Sequence, residues 1–249
     1  MGGAIAKGLF NHKEANESLK ICLADVNEDK LQQSSVFCDA VFTDNSRAVA
    51  DADVVILAVK PWLVEPVIEE ISQTLDADRQ IIVSIAAGVT IDRINQQLGS
   101  LFPVYRMIPN TAISIAESMT LIANQNTGSE QDILIGRLFG KLGQTLFIPE
   151  SLMNAGTSLT SCGIAYAFRY IRAATEAGVE MGFPANQAKE MVAQTLIGAA
   201  RLLMANDSHP EAEIDKVTTP GGLTIKGLNA MEEAGFTNSV IKGLKASCL

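Results

Sequence analysis

The chain has 249 residues, enough for one large domain or two ordinary ones, and its 47% hydrophobic and 19% charged content is globular rather than disordered. A formal charge of −9 with nothing basic clustered along a face argues against nucleic acid, and no apolar run is long enough to span a bilayer. Cys22, Cys38, Cys162 and Cys248 are scattered, without a Cys-x-x-Cys and with only His12 and His209 to join them; this argues against a zinc site and, with no signal peptide, reads as free thiols in the cytoplasm.

The chain opens with a helical pattern over 2–11. Met1-Gly2-Gly3-Ala4-Ile5-Ala6-Lys7-Gly8 reads as the first helix of a dinucleotide-binding unit, without the strand and the leading Gly-x-Gly that precede such a helix. In a complete unit that strand is central, and the loop after it cradles the pyrophosphate. We expect an absent upstream segment of roughly ten residues, a strand being about five or six. The other reading is that residue 1 is a true start and the motif never existed. Loss of a central strand should leave backbone groups unpaired and weaken cofactor binding.

Apolar runs predict strands at 19–25, 38–43, 53–59, 80–85, 102–107, 119–123 and 144–148. Those at 54–59 and 81–85 are continuously apolar and β-branched, as buried parallel strands are. Helical patterns fall between them at 27–34, 46–51, 64–74, 90–98 and 129–142. This alternation predicts a doubly wound parallel sheet, a Rossmann-like α/β domain over residues 1–149. Asp25 closes the run 19–25, where an acid accepts from ribose hydroxyls and repels a 2′-phosphate, favouring NAD over NADP. It reads equally well as a cap for the helix near 27. Ala58-Val59-Lys60-Pro61, Ala86-Ala87-Gly88 and Met107-Ile108-Pro109-Asn110-Thr111 each end a strand. Each alone is a plain turn; three on one carboxyl edge, with small residues, make a ligand site.

After Pro149 no strand pattern survives. Helices are predicted at 151–158, 163–181, 185–206, 211–216, 224–234 and 237–247, an all-α domain over 150–249. The two longest are rich in Ala and Gly and bury more than one face, which points to a subunit interface; a thick monomeric bundle is the alternative. Thr160-Ser161-Cys162-Gly163 opens the helix at 163–181 and offers hydroxyls and N–H groups at a helix N-terminus. Cys162 reads as a structural thiol, since no His lies in a partner motif. Near the end, Pro220, Gly221 and Gly222 break the chain just before a helix bearing Ile225, Leu228 and Met231. Such a turn aims unpaired N–H groups at one spot, and Thr218, Thr219 and Thr224 add hydroxyls. It reads either as a cradle for a small carboxylate or as an ordinary Thr-capped helix start.

Taken together, these motifs resemble those of the Δ1-pyrroline-5-carboxylate reductases over nearly the whole chain. The family's Gly-x-Gly-Asn-Met-Gly-x-Ala is matched in its second half by Met1 to Ala4, Ala-Val-Lys-Pro by Ala58 to Pro61, and Ala-Ala-Gly by Ala86 to Gly88. Pro-Asn-Thr-Pro corresponds to Pro109 to Ala112, and Ser-Gly-Ser-Gly-Pro-Ala-Tyr to Thr160 to Tyr166, with Ala112 and Ile164 replacing prolines. Pro-Gly-Gly-x-Thr, the most specific motif, is Pro220 to Thr224.

The resemblance implies reduction of a cyclic imine carboxylate to L-proline by NADPH or NADH, in a homodimer formed by the helical halves and often assembled into a ring of dimers. It implies cofactor contacts at Met1, Gly2, Asp25, Asn45, Ala58, Val59, Lys60, Pro61, Ile85, Ala86, Ala87 and Asn110. It implies substrate contacts at Gly221, Gly222, Leu223, Thr224, Thr219, Glu150, Ser161 and Cys162, with Thr224 as the hydrogen-bond partner or proton donor to the ring nitrogen. Most members prefer NADPH, which stands against the Asp25 reading. Two rivals remain. One is a β-hydroxyacid dehydrogenase or related imine reductase, whose catalytic Lys the helix 163–181 lacks; it carries Arg169 and Arg172 instead. The other is a non-catalytic dimer that kept the fold and lost the cofactor site.

Overall fold

Alternation along the strands sets the layers of the first half. In the computed structural model, which describes residues 1–14, 17–99 and 102–248, seven strands form: β1 (Cys22–Ala24), β2 (Ala40–Phe42), β3 (Val54–Leu57), β4 (Ile81–Ser84), β5 (Val104–Ile108), β6 (Ser118–Gln125) and β7 (Gly143–Phe147). Helices α1 (Gly2–Asn11), α2 (Glu28–Ser34), α3 (Asn45–Val49), α4 (Val64–Ile71), α5 (Ile91–Leu98) and α6 (Ser129–Gly140) fall between them. Ile82 of β4 and Val104 and Ile108 of β5 point to a cluster with Ile68, Ile71, Ile91 and Ile94 of α4 and α5. Ile81, Val83, Tyr105 and Met107, one residue out of step, point to Ile5, Leu9, Ile135 and Phe139 of α1 and α6. This period of two on strands covered on both faces is the doubly wound arrangement. Each fully buried aliphatic or aromatic side chain contributes roughly 1.5–3 kcal/mol.

The sheet differs from the expectation in two ways. It is mixed rather than parallel: β3, β4 and β5 run parallel, β6 is antiparallel to β5, and β7 is parallel to β6. The link 109–117, mostly a 3₁₀ helix (Thr111–Ile115), is too short for a parallel crossover, which takes about a dozen residues or more. The strands also form two sheets. β1 pairs with β2 alone, and β3 stands at the edge of the five-stranded sheet. Leu23 of β1, Val54 and Ile56 of β3 and Ile5 of α1 nevertheless share one apolar cluster.

The chain divides by contacts into Met1–Ser161 and Cys162–Leu249. A 3₁₀ turn (Glu150–Leu152) and α7 (Met153–Thr157) stay with the sheet because Met153 is fully buried in the cluster that holds Leu121. The second unit contains α8 (Gly163–Glu180), α9 (Ala185–Asn206), α10 (Pro210–Val217), α11 (Leu223–Glu233) and α12 (Phe236–Ala246). Helices α8 and α9 approach closely: a Cβ at Gly178 would lie 2.8 Å from that of Ala188. Tyr170 meets Phe236 edge to face at 6.5 Å, tying α8 to α12. Beyond Thr175, Gly178 and Ala188, the described residues of this unit bury little, and Phe168, Met181, Met204 and Leu223 are largely exposed.

Candidate active site

Because β3, β4 and β5 are parallel neighbours, Ala58–Pro61, Ile85–Gly88 and Pro109–Thr111 leave the sheet at one edge. The burial changes sharply there. Leu57 and Ala86 are buried, whereas Ala58, Lys60, Ala87 and Gly88 are exposed or half-buried. The start of α1 closes on this edge, since a Cβ at Gly2 would lie 2.8 Å from that of Ala58. A helix leaves its first N–H groups unpaired and partly positive. Here they belong to Gly2 and Gly3, beside Met1, whose carbonyl accepts from Ala4 and Ile5. Small residues and free amides in that cradle fit the pyrophosphate of a dinucleotide.

Two other positions expected at the cofactor are engaged locally. The Asp25 carboxylate accepts from the Asn27 N–H at 2.9 Å, with Lys30 at 3.9 Å. The cap of α2 is Asn27, whose side chain accepts from the Lys30 N–H, so Asp25 is not the cap. Asn45 donates through its backbone and side chain to Glu70. Burial first, then the charge of Asp39, raises the thiols of Cys22 and Cys38 above the usual range, so neither is a ready nucleophile.

Glu150 ends the strand-bearing region in a defined setting. One carboxylate oxygen accepts from the Ile91 N–H at 2.8 Å, at the start of α5, and from Arg106 at 3.0 Å. The Arg106 side chain is 5% exposed and that of Glu150 29%, so the pair is mostly withdrawn from water. Arg106, the partner of Glu150, is not revealed by the motifs; a single charge inside the apolar run Val-Tyr-Arg-Met-Ile is its one signal in the sequence.

The expected free helix N-terminus at Thr160–Gly163 does not form. Helix α7 runs through a π-helical turn (Ser158–Cys162) directly into α8. Ser161 and Cys162 therefore lie within a continuous helix rather than at an open start. Asn110 reaches this turn, its side-chain amide donating to the Thr160 carbonyl at 3.1 Å.

In the helical unit, the Thr219 carbonyl accepts from the Gly222 N–H at 2.9 Å. Pro220 and Gly221, the latter at φ +72°, occupy the middle of this turn, the type II pattern. Gly222 has no room for a Cβ, which would lie 2.6 Å from the Thr219 hydroxyl. With the Gly222 N–H used and the Thr218 hydroxyl turned back to Ile214, the N–H groups of Leu223 and Thr224 remain at the start of α11. Leu223 and Thr224 are exposed.

A strand-edge cradle in one unit and a glycine turn at a helix start in the other define a Rossmann-like α/β protein with a helical C-terminal unit. Comparison with known proteins narrows the class. Residues 150–249 match the family described as pyrroline-5-carboxylate reductase dimerisation, and residues 1–88 that described as NADP oxidoreductase coenzyme F420-dependent. Pyrroline-5-carboxylate reductase 1 of Dictyostelium discoideum is 39% identical, covering 99% of this chain and 47% of its own length. Pyrroline-5-carboxylate reductase 2 of the same organism is 36% identical, covering 99% of this chain and 87% of its own. A solved pyrroline-5-carboxylate reductase of Coxiella burnetii superposes with a TM-score of 0.91 at 28% identity, over 99% of this chain and 92% of its own. The chain belongs to the pyrroline-5-carboxylate reductase family, and it spans about half the length of the first of these relatives.

Proposed function

We propose that the protein is an NAD(P)H-dependent oxidoreductase acting on a C=N bond, which reduces the cyclic imine Δ1-pyrroline-5-carboxylate to L-proline. The observation that carries this reading is the pairing, in one chain of this family, of the cradle at Gly2 and Ala58 with the turn Thr219–Gly222 before α11. When bound, the nicotinamide supplies the hydride that reaches the imine carbon. The chain's own tasks are then binding, orientation and one proton. The amides of Leu223 and Thr224 hold the substrate carboxylate, aided by the positive end of α11. The exposed Thr224 hydroxyl makes no hydrogen bond to the described residues and is free to meet the ring nitrogen. A Thr hydroxyl is a weak acid, and a cyclic imine is already partly protonated near neutrality, so Thr224 acts by orienting the nitrogen or relaying a proton through water. Most of the rate gain comes from position.

The exposed apolar residues of α8 to α12 fit a homodimer joined through the helical units, with assembly into a ring as the further expectation. Four unpaired cysteines suit a reducing cytoplasm, and no helix among the described residues is long and apolar enough to cross a membrane. The test is consumption of NADPH and of NADH with pyrroline-5-carboxylate. Turnover with at least one is expected, and none with either rejects the reading. Thr224→Ala should lower kcat by about 10- to 100-fold without lowering the thermal midpoint; unchanged turnover removes Thr224 from the mechanism. The second reading is a dimer of the same fold that binds no dinucleotide. Titration with both cofactors separates the two, since only the reductase binds one.

A further inference from the structure

The π-helical turn Ser158–Cys162 is anchored to the strand edge by one side chain. Asn110 follows β5 and is 8% exposed. Its side-chain oxygen accepts from the Ala112 N–H at 3.0 Å, capping the 3₁₀ helix Thr111–Ile115. Its side-chain nitrogen donates to the Thr160 carbonyl at 3.1 Å, fifty residues away in sequence. Its backbone N–H donates to the Ser118 hydroxyl at 3.2 Å, and that hydroxyl meets Thr120 at 3.1 Å, both of them buried. A π turn changes which carbonyls the helical ladder uses, and a donor inserted on one of them supports such a turn. The turn is under polar stress: Ser158, 3% exposed, keeps its hydroxyl without a partner among the described residues.

We propose that Asn110 is a positioning residue, whose side-chain amide holds the π turn carrying Ser161 against the carboxyl end of β5. Capping alone does not explain the residue type. Asp, Ser or Thr would accept from Ala112 equally well. Among the cap-forming residues only Asn accepts with one atom and donates an N–H from the same planar group to a second carbonyl. If the turn relaxed to regular α-helix, one residue of slip would rotate the downstream helix by about 100°. Ser161 would then leave the position it holds relative to the strand edge. The functional part of the inference rests on the reductase reading; the anchoring does not.

Asn110→Asp isolates the point, because it keeps the acceptor for Ala112 and loses the donor for Thr160. The resemblance places Asn110 at the cofactor, but both polar atoms of its side chain are engaged within the protein, by Ala112 and Thr160; in the full chain we therefore expect Asn110→Asp to bind nicotinamide cofactor with unchanged Kd. Its kcat should fall about 10- to 100-fold, the scale of a displacement near 1 Å. Amide hydrogen exchange should accelerate over 160–166. Asn110→Ser, which keeps the cap and adds no charge, should do the same and carries the test if the Asp variant does not fold. Wild-type exchange over 160–166 in both variants would overturn the anchoring. A wild-type kcat would overturn the functional part, as would a loss of cofactor affinity matching the loss of turnover, which would put Asn110 on the cofactor itself. If the unmodified chain shows no turnover, the reductase reading fails, while the exchange pattern still decides whether Asn110 holds the turn.

Discussion

The two units of this chain solve the packing problem differently. Residues 1–161 bury two apolar clusters, one on each face of the main sheet, with Ile68, Val83, Val104, Ile122 and Ile135 at 0% exposure. Residues 162–248 form five helices with a comparable share of apolar residues, yet Phe168 is 60% exposed and Met204 71%. A sheet covered on both faces closes a core within one chain. The helices of the second unit pack on one another yet leave large apolar side chains exposed, and exposed apolar surface of that kind marks a face for association. The contrast assigns stability and cradle to the first unit, and association to the second.

The most severe test of the first half of that statement is Phe139→Ala in α6. Phe139 is 1% exposed, and its removal should cost about 3–5 kcal/mol. The loss should not depend on protein concentration, because the cluster is internal to the unit. A denaturation midpoint for this variant that shifts with concentration would show that the sheet unit also depends on association.

Glu150→Ala comes next. It strips the counter-charge from the nearly buried Arg106 and frees the first N–H of α5, at an expected cost of about 2 kcal/mol, discounted because Glu150 is partly exposed. Glu150→Gln, which retains an acceptor, should lose less. If Glu150 serves chiefly to hold substrate, the order inverts into kinetics: the Gln variant would keep its stability and raise KM for the imine. Chemical denaturation beside steady-state kinetics on both variants separates these roles.

Phe168→Asp addresses the helical unit. On a monomer an exposed substitution lies within about 0.5 kcal/mol of neutral. In a dimer joined through α8, the charge would be buried, and the thermal midpoint should fall and become concentration-dependent. Sedimentation of the variant should then give a lighter species than the parent chain. An unchanged mass and midpoint would remove α8 from the interface.

The same contrast governs what could be read from the sequence. The β-branched runs at Val54–Leu57 and Ile81–Ser84 declared their strands, and the 3.6-residue periods declared the helices, because both patterns are local. The reversal of β6 escaped the strand pattern, although the shortness of 109–117 carried it. The turn at Thr219–Gly222 was legible because Pro220 and two glycines write its geometry directly. The bonds from Asn110 to Thr160 and from Arg106 to Glu150 were not, because they join residues far apart in sequence and depend on the order of strands. The π turn was hidden for the same reason: Thr160-Ser161-Cys162 looks like a helix start until the chain before it is also helical.

The mildest test asks whether the helical unit has any local ties of its own. Glu213 in α10 accepts from Lys216 at 2.6 Å, from Ser208 and from Asn206 at the end of α9. Lys216 first and Ser208 second hold its carboxyl down, from its ordinary 4.5 to about 2. A carboxylate depressed on folding stabilises the folded form above its unfolded pKa, and that contribution is lost as pH falls through the folded value. The junction of α9 and α10 should therefore loosen between pH 4.5 and about pH 2, and not on the alkaline side. Exposure and salt keep the effect small. Glu213→Gln should flatten the acid limb of local hydrogen exchange at 206–216 while leaving the sheet unit's exchange unchanged. If the sheet unit responds equally, the two units share one cooperative transition, and the division of labour drawn from their cores does not extend to their unfolding.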